Sequence, residues 1–393
     1  MNVIVTCDAL PLPPLNGHNR KTYDLLRALG ARVSFDVIVY PANEVEWERL
    51  SCYWKDSRIR LHRLARRSGG KMLRVLWNRH SIPMATRDFD AEYRLITRLR
   101  EDNPCSLTLI DFLYGSPLVV RLAKPVIISG HDCMSRLFRE EALLARGAKQ
   151  KLVFHIREYL AELNERRYFH IADVVHVVSE DDSNELRRLD NRIKTHVIPI
   201  GGEMPDGQNL KLFGERQHKL IWGNINSPNV QAGLRQLFSE ALLAKPDVLD
   251  GYFLLGKAPF DEAIRLFPEI PKLGIKYVSQ VNDISDFLGN CKYVILADSS
   301  GTGQKNRTMD ALAHGCCVFG TDEVFRGIPS RDSKSYFNGG STGGILRDLQ
   351  TVDDSMAAQT GVNGRALFSA EFSLPVLGGK WQELFESTMK NYK

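Results

Sequence analysis

Residues 293–320 read YVILADSSGTGQKNRTMDALAHGCCVFG. An apolar run, YVILA (293–297), leads into a polar loop carrying Gly301 and Gly303. An alanine-rich helical pattern follows and ends at Gly315, and a second apolar run, CCVFG (316–320), comes directly after it. Short runs that are apolar on both faces mark parallel strands covered by helices. Parallel neighbours need a crossover between them, usually a helix. The stretch therefore reads as one strand–loop–helix–strand unit.

Working outward, the same rhythm fills the chain. The first half offers strands at NVIVT (2–6), RVSFDVIVY (32–40), LTLID (107–111), PVIIS (125–129), DVVHVVS (173–179) and THVIPI (195–200). Helical patterns lie near 18–29, 87–101, 134–171 and 180–189. The second half restarts with KLIW (219–222), YFLLG (252–256) and IKYVS (275–279). After Ser227 and Pro228, the residues Val230, Leu234, Leu237, Phe238, Ala241 and Leu242 fall at helical spacing, with Ser227 as expected N-cap and Pro228 at the first helical position. The two series meet at a polar Gly/Pro stretch, Ile200 to Gly207, suited to a linker. The expected fold class is α/β, with two doubly wound Rossmann-like domains facing a cleft. The expected domains are 1–200, 201–377 and a C-terminal amphipathic helix at 378–393 that starts after Gly378 and Gly379 and crosses back to the first domain.

Bulk properties agree with two domains. The chain has 393 residues, 43% hydrophobic and 25% charged, which is too long for one ordinary core. The net charge of +5 is too modest to require a polyanionic partner. No run approaches the roughly 20 apolar residues that span a bilayer. The start, MNVIVTCDALPLPPLNG, lacks a basic region and a long apolar stretch, so a cytoplasmic protein is expected. Seven cysteines are scattered without a CxxC pair, which points to neither a disulfide framework nor a zinc site.

Doubly wound sheets bind ligands at the carboxyl ends of their strands. Gly301 and Gly303 sit at such an end, before a helix whose first amides are unpaired. Lys305 and Arg307 add positive charge, and Asp310 is placed to accept from ribose hydroxyls. A nucleotide diphosphate is the anion expected there; an ordinary helix start with two solvated cations fits the same residues. After the first strand, Gly17 and Arg20 in LPPLNGHNR lack the G-x-G-x-x-G fingerprint. Gly17 opens backbone to a ligand, or the segment is a proline-rich turn. His131 and Asp132 follow PVIISG at another carboxyl end, fit to hold a sugar or an acceptor hydroxyl; Asp132 equally suits an N-cap. Ser179 and Asp182 form a capping box.

Together these residues resemble the GT-B glycosyltransferases, specifically the retaining family-4-like group, over nearly the whole chain. The early loop glycine is matched by Gly17, the strand-end His-Asp by His131 and Asp132, and the pattern "aDxVxxVS … vIPnG" by ADVVHVVS (172–179) and VIPIG (197–201). IWGNINSPNVQAG looks like the group's second-domain start, with Asn224 and the later Asn229. The donor loop GxGxKxRxxEAxAxG is followed from Gly301 to Gly315, with Asp310 in place of Glu. Thr302 stands where the family's Glu-x7-Glu pair has its first carboxylate. The resemblance implies a nucleotide sugar as donor substrate, with no further cofactor and no metal. It implies Lys305 and Arg307 at the diphosphate, Asp310 at the ribose, His131 at the transferred sugar, and Gly17, Asn224, Gly301 and Gly303 in donor binding. A hexosyltransferase acting in polysaccharide or glycoconjugate biosynthesis is expected. A nucleotide-sugar epimerase or a binding protein on the same scaffold, and a DNA-modifying transferase, are the alternatives.

Residues 55–80 carry nine Lys or Arg and one acid, interleaved with apolar residues. Arg58, Arg60, Arg63, Arg66, Arg67, Lys71, Arg74 and Trp77 read as a basic amphipathic surface for an anionic membrane and a saccharide or lipid-linked acceptor. The same pattern fits a solvated helix face. No nucleic-acid motif accompanies it, so no nucleic acid is expected as a partner.

Overall fold

The computed structural model describes residues 1–13, 19–55, 58–67, 69, 75, 77–145, 147–207, 210–329 and 334–392. The chain forms two compact units. The first comprises Met1–Arg139, Lys149–Pro199 and Leu374–Lys393; the second comprises Glu140–Ala148 and Ile200–Ser373.

In the first unit, β1 (Asn2–Thr6), β2 (Ser34–Val39), β3 (Ile59–Arg63), β4 (Ser106–Asp111), β5 (Val126–His131), β6 (Val174–Val177) and β7 (Thr195–Val197) form one sheet. Their order is β3-β2-β1-β4-β5-β6-β7, and every pair is parallel. The second unit repeats the plan with β8 (His218–Trp222), β9 (Phe253–Leu255), β10 (Lys276–Val278), β11 (Cys291–Leu296), β12 (Cys317–Thr321) and β13 (Phe337–Gly340). These run β10-β9-β8-β11-β12-β13, again parallel throughout. In each sheet the strand order reverses beside the first strand, at β1/β4 and at β8/β11. Those reversal points are where such sheets bind ligands.

Alternation explains why the strands read as continuous apolar runs. Val3 and Val5 of β1 face one core with Leu25, Leu26 and Trp381, while Ile4 faces the other with Ile110 and Ile128. The adjacent Cys316 and Cys317 likewise enter opposite cores of the second sheet, Cys316 with Leu296 and Val318, Cys317 with Ile295 and Phe319. Both thiols are free and buried. They serve as small apolar side chains.

Several expectations need correction. The helical pattern at 134–171 is two helices, Met134–Leu144 and Ala148–Tyr168, followed by a short 3-10 turn at Phe169–Ile171. The second helix runs back along the first, with Arg139 donating to Glu158 at 2.8 Å and Glu165 returning to the first helix's start. Asp182 and Glu165 take the first amides there. The Cys133 amide donates to Asp182 at 3.1 Å, and the Met134 and Ser135 amides donate to Glu165 at 2.7 and 3.3 Å. Ser227 precedes the helix Pro228–Ala244 as expected, but its hydroxyl donates to Asn229 at 2.6 Å and caps no amide. Ser179 is the N-cap expected of it, with the Asp182 amide donating to the Ser179 hydroxyl at 3.2 Å and that hydroxyl donating to the Asp182 carboxylate. The final helix starts at Leu374 rather than after Gly379. Gly378 lies inside it because a Cβ there would come within 3.3 Å of Ala28 on the neighbouring helix.

The basic segment is not one amphipathic element. Ile59–Arg63 is an edge strand whose alternate charges meet Asp36 of β2. Arg60 donates to both Asp36 oxygens at 2.8 and 2.6 Å, and His62 lies 2.8 Å from one of them. Burial pushes the Asp36 carboxyl up, but the hydrogen bonds from His62, Arg60 and Asn2 outweigh it and hold it at about 2. Arg63 pairs with Glu44. Arg66 donates to the Asp8 carbonyl at 3.0 Å, and Arg67 to Asp88 and Asp90, each at 2.8 Å. Arg58 is exposed, as is Trp77 at 88%. Lys71 and Arg74 lie outside the described residues. Among the described residues, no helix is long and apolar enough to cross a membrane.

Candidate functional site

The second unit places the glycine loop where the sequence puts it, between β11 and the helix Asn306–Ala313, at the reversal point beside β8. Gly301 and Gly303 have φ of +133° and +61°, backbone that L side chains rarely adopt. A Cβ on Gly301 would come within 2.3 Å of the Lys305 ammonium. That side chain folds back over the loop and donates to the Thr302 carbonyl at 3.0 Å. The loop thus has glycine backbone with a lysine laid across it. Two buried oxygens at the loop, Thr302 Oγ1 and Asn306 Oδ1, have no hydrogen-bond partner among the described residues. Such orphans call for an explanation, and a missing ligand is one.

Arg307 is turned differently from Lys305. It donates to both oxygens of Asp298, at 2.7 and 3.0 Å, and to the Trp222 carbonyl at the end of β8. Asp298 is 1% exposed and Arg307 half-buried; one guanidinium nitrogen reaches both carboxylate oxygens, and the pair joins the ends of β8 and β11. Gly223 makes room for it: a Cβ there would sit 3.2 Å from the guanidinium and 2.5 Å from Val230. Asn229 completes the brace, donating to the Ser300 carbonyl at 3.0 Å and to Asp298 at 3.3 Å. Asn224 is exposed, and its side chain accepts the Asn226 amide at 3.2 Å within the turn after β8. Asp310 lies one turn into the helix, half-buried, its carbonyl accepting from His314.

Arg326 is a cation the sequence reading missed. It donates to the Gly301 carbonyl at 2.7 Å and pairs with Glu323 at 2.6 Å. The Gly301 amide itself donates to Glu140, a residue grouped with this unit, at 2.9 Å. The signal for Arg326 was the Arg-Gly step after β12: Gly327 has φ of +73° and its carbonyl receives Gln304 of the glycine loop at 2.8 Å.

In the first unit, His131 ends β5 with φ of +63°, a left-handed backbone that is costly for a side chain of its size. It is 5% exposed, and its Nε2 lies 3.0 Å from Asp111 Oδ1 at the end of β4. Thr22 donates to the other Asp111 oxygen at 2.8 Å, and the Lys21 ammonium is 3.5 Å away. Lys21 also bonds the Ser129 hydroxyl, which lies 2.9 Å from His176 Nδ1. His176 Nε2 is 2.9 Å from the Ile198 carbonyl, so that nitrogen carries the hydrogen and Nδ1 accepts. Burial pushes Asp111 up, but the Lys21 charge and the His131 bond outweigh it and hold the carboxyl well below its usual range. Burial also brings Lys21 down to about 8 against the pull of Asp111, and holds His176 well below its ordinary value. Of this network the sequence reading names only His131. Asp111 was findable, because it ends its strand as His131 ends the next. Asp132, beside His131, is half-buried. Gly17 lies outside the described residues.

A cavity of about 800 Å³ opens at the amino ends of the first sheet, lined by Asn2, Ser34, Arg60, Asp102 and Lys390 among others. It is at the opposite end of the strands from Asp111 and His131. Among the described residues, no three His, Cys, Asp or Glu side chains gather as a metal site requires.

No protein-family model matches the chain, and no curated protein matches it in sequence. Solved structures do. The chain is similar to sucrose-phosphate synthase from Thermosynechococcus elongatus, at 13% identity over 98% of each chain and a TM-score of 0.70. HepE from Anabaena in complex with UDP matches at 14% identity, over 98% of this chain and 99% of that one, with a TM-score of 0.65. An α,α-trehalose-phosphate synthase (UDP-forming) from Burkholderia vietnamiensis matches at 10% identity over 99% of each chain, with a TM-score of 0.66. The fold is GT-B. In this GT-B chain the two clusters just described sit at the strand ends of the two sheets, one built around a glycine loop and the other around a braced imidazole.

Proposed function

We propose that the chain is a glycosyltransferase that moves a sugar from a nucleotide-sugar donor to a saccharide or lipid-linked acceptor. The observation that carries this reading is the loop from Gly301 to Lys305: two glycines with positive φ and a lysine folded over them, before a helix N-terminus at the reversal point of the second sheet. Two of the three GT-B neighbours support a UDP-sugar as donor, since one is in complex with UDP and another is UDP-forming.

Breaking a glycosyl–phosphate bond puts negative charge on the departing diphosphate and positive charge on the sugar. Pre-placed donors at the diphosphate lower that barrier without reorganising. Loop amides, the helix end and Lys305 supply them. Arg307 acts at one remove, holding the loop's base against β8 through Asp298. His131, steadied by Asp111, is assigned to the sugar. Because the charge is met by side chains and backbone, chelation with EDTA leaves turnover unchanged.

Calorimetric titration with UDP tests the site. Charged hydrogen bonds contribute about 1.5–3 kcal/mol, so Lys305→Ala weakens UDP binding about 10-fold or more. Arg307→Ala chiefly lowers the unfolding midpoint. Incubation with UDP-sugars then tests the reaction: slow donor hydrolysis without acceptor is expected. Exchange of the sugar C2 proton would instead mark an epimerase.

A further inference from the structure

The buried residues of the helix Ala148–Tyr168, namely Ala161, Asn164, Glu165 and Tyr168, all lie in its second half. From Lys149 to Arg157 every residue but Phe154 is exposed, and no acid occurs before Glu158. Leu152, Ile156 and Tyr159 are four and three residues apart, so they share one stripe of the helix, with Val153 beside them. They are 61%, 51% and 54% exposed. Arg79 donates to the Tyr159 hydroxyl at 3.1 Å, and Asn164 donates to the Arg79 carbonyl at 3.2 Å. The segment carrying the exposed Trp77 therefore lies against the same helix. We propose that this stripe docks the protein on an anionic phospholipid bilayer. The apolar side chains and Trp77 enter the headgroup region, and Lys149, Lys151 and Arg157 meet lipid phosphates.

Scattered exposed apolar side chains are ordinary, but a row of them rimmed by charge marks an interaction surface. Where the charges are engaged decides what it meets. The cations of the edge strand and the loop after it are already taken: Arg60 by Asp36, Arg63 by Glu44, and Arg67 by Asp88 and Asp90. The acids of the helix are taken too. Glu158 holds Arg139 and His155, Glu162 holds Arg166, and Glu165 accepts from backbone amides. Lys149, Lys151 and Arg157 pair with no carboxylate among the described residues. By helical spacing Lys149 and Arg157 border the stripe on one side and Lys151 on the other.

An apolar row with unneutralised cations on both flanks is the pattern of a helix that lies in a membrane interface, held by apolar burial and by anionic lipid. Tyrosine and tryptophan favour the same depth, where one end of the ring system stays wet. A second copy seated symmetrically on this stripe would set the cations against their own equivalents, which disfavours it. The proposal goes beyond the transferase reading and does not depend on it.

Co-flotation of the full chain with vesicles tests it, using phosphatidylcholine alone and phosphatidylcholine mixed with phosphatidylglycerol. Wild type is expected to float with the mixed vesicles only, and to be released by added salt. Ile156→Glu is expected to abolish flotation. Each cation at an anionic surface contributes about fivefold to partition, so Lys149→Gln combined with Lys151→Gln weakens it about 25-fold. Arg63→Gln, whose cation is already paired with Glu44, is expected to leave partition unchanged. All these side chains are exposed, and unchanged unfolding midpoints check that the variants fold. Failure of wild type to float, or Ile156→Glu floating as wild type does, would overturn the proposal. Equal losses in Arg63→Gln and in the lysine pair would overturn it as well, since net charge and not this stripe would then hold the vesicles. So would a wild-type dimer in analytical ultracentrifugation that Ile156→Glu dissociates, because a second copy would then cover the stripe.

Discussion

Glu165 shows at the scale of one residue how a structural carboxylate becomes pH-sensitive. It is buried, and one of its oxygens accepts from the Met134 and Ser135 amides at the start of a helix. Burial raises its carboxyl to about 7, against the pull of those hydrogen bonds. The folded state therefore binds a proton that the unfolded chain, with an ordinary carboxyl near 4.5, has released. That stability is complete below about 4.5 and is lost as pH rises through about 7. Glu165→Gln mimics the protonated acid at every pH. Chemical denaturation should find the two proteins equally stable at low pH and the variant ahead by about 3 kcal/mol near pH 8. A difference that does not change with pH would show that Glu165 titrates alike in the folded and unfolded chain.

Elements were legible where their residues obey one period, and obscure where tertiary pairs override it. β1, β4, β5 and β11 are apolar on both faces and were read within a residue or two. β3 was missed because its alternate Arg60 and His62 look like a solvated face; their partner Asp36 lies in β2, out of reach of local pattern. β13, Phe337–Gly340, was missed because two of its four residues are glycine, yet Phe337 stacks on Phe319 of β12 at 4.9 Å. Glycines sort in the same way. A Cβ on Gly233, in the helix Pro228–Ala244, would fall 1.5 Å from the Ala297 carbonyl at the end of β11. Backbone on both sides leaves no soft neighbour to yield, so Gly233→Ala should destabilise by about 3 kcal/mol or more. Gly379 meets nothing within 4 Å in the final helix, and Gly379→Ala should be neutral or stabilise by up to about 1 kcal/mol. Denaturant unfolding of the two variants separates them; equal effects would mean that the close approach to β11 is not real.

At the scale of the whole molecule, the chain writes the same strand order twice, with each sheet reversing beside its first strand. That plan was readable because it depends on alternation of strand and helix, which local sequence records. The chemistry was only half readable. The glycine loop announces itself in sequence through Gly301, Gly303, Lys305 and Arg307. The first unit's network does not, because Lys21, Asp111, Ser129 and His176 are scattered singly through apolar or helical runs and meet only in the fold. The different partners of Lys305 and Arg307 were likewise hidden, since nothing local says that Asp298 and the Trp222 carbonyl hold the arginine. The central claim is that the loop from Gly301 to Lys305 seats the diphosphate of a sugar nucleotide. A crystal of the full chain soaked with UDP tests it most directly. The account predicts phosphate oxygens within hydrogen-bond distance of the loop amides and the Lys305 ammonium; UDP bound elsewhere, with this loop untouched, would contradict it.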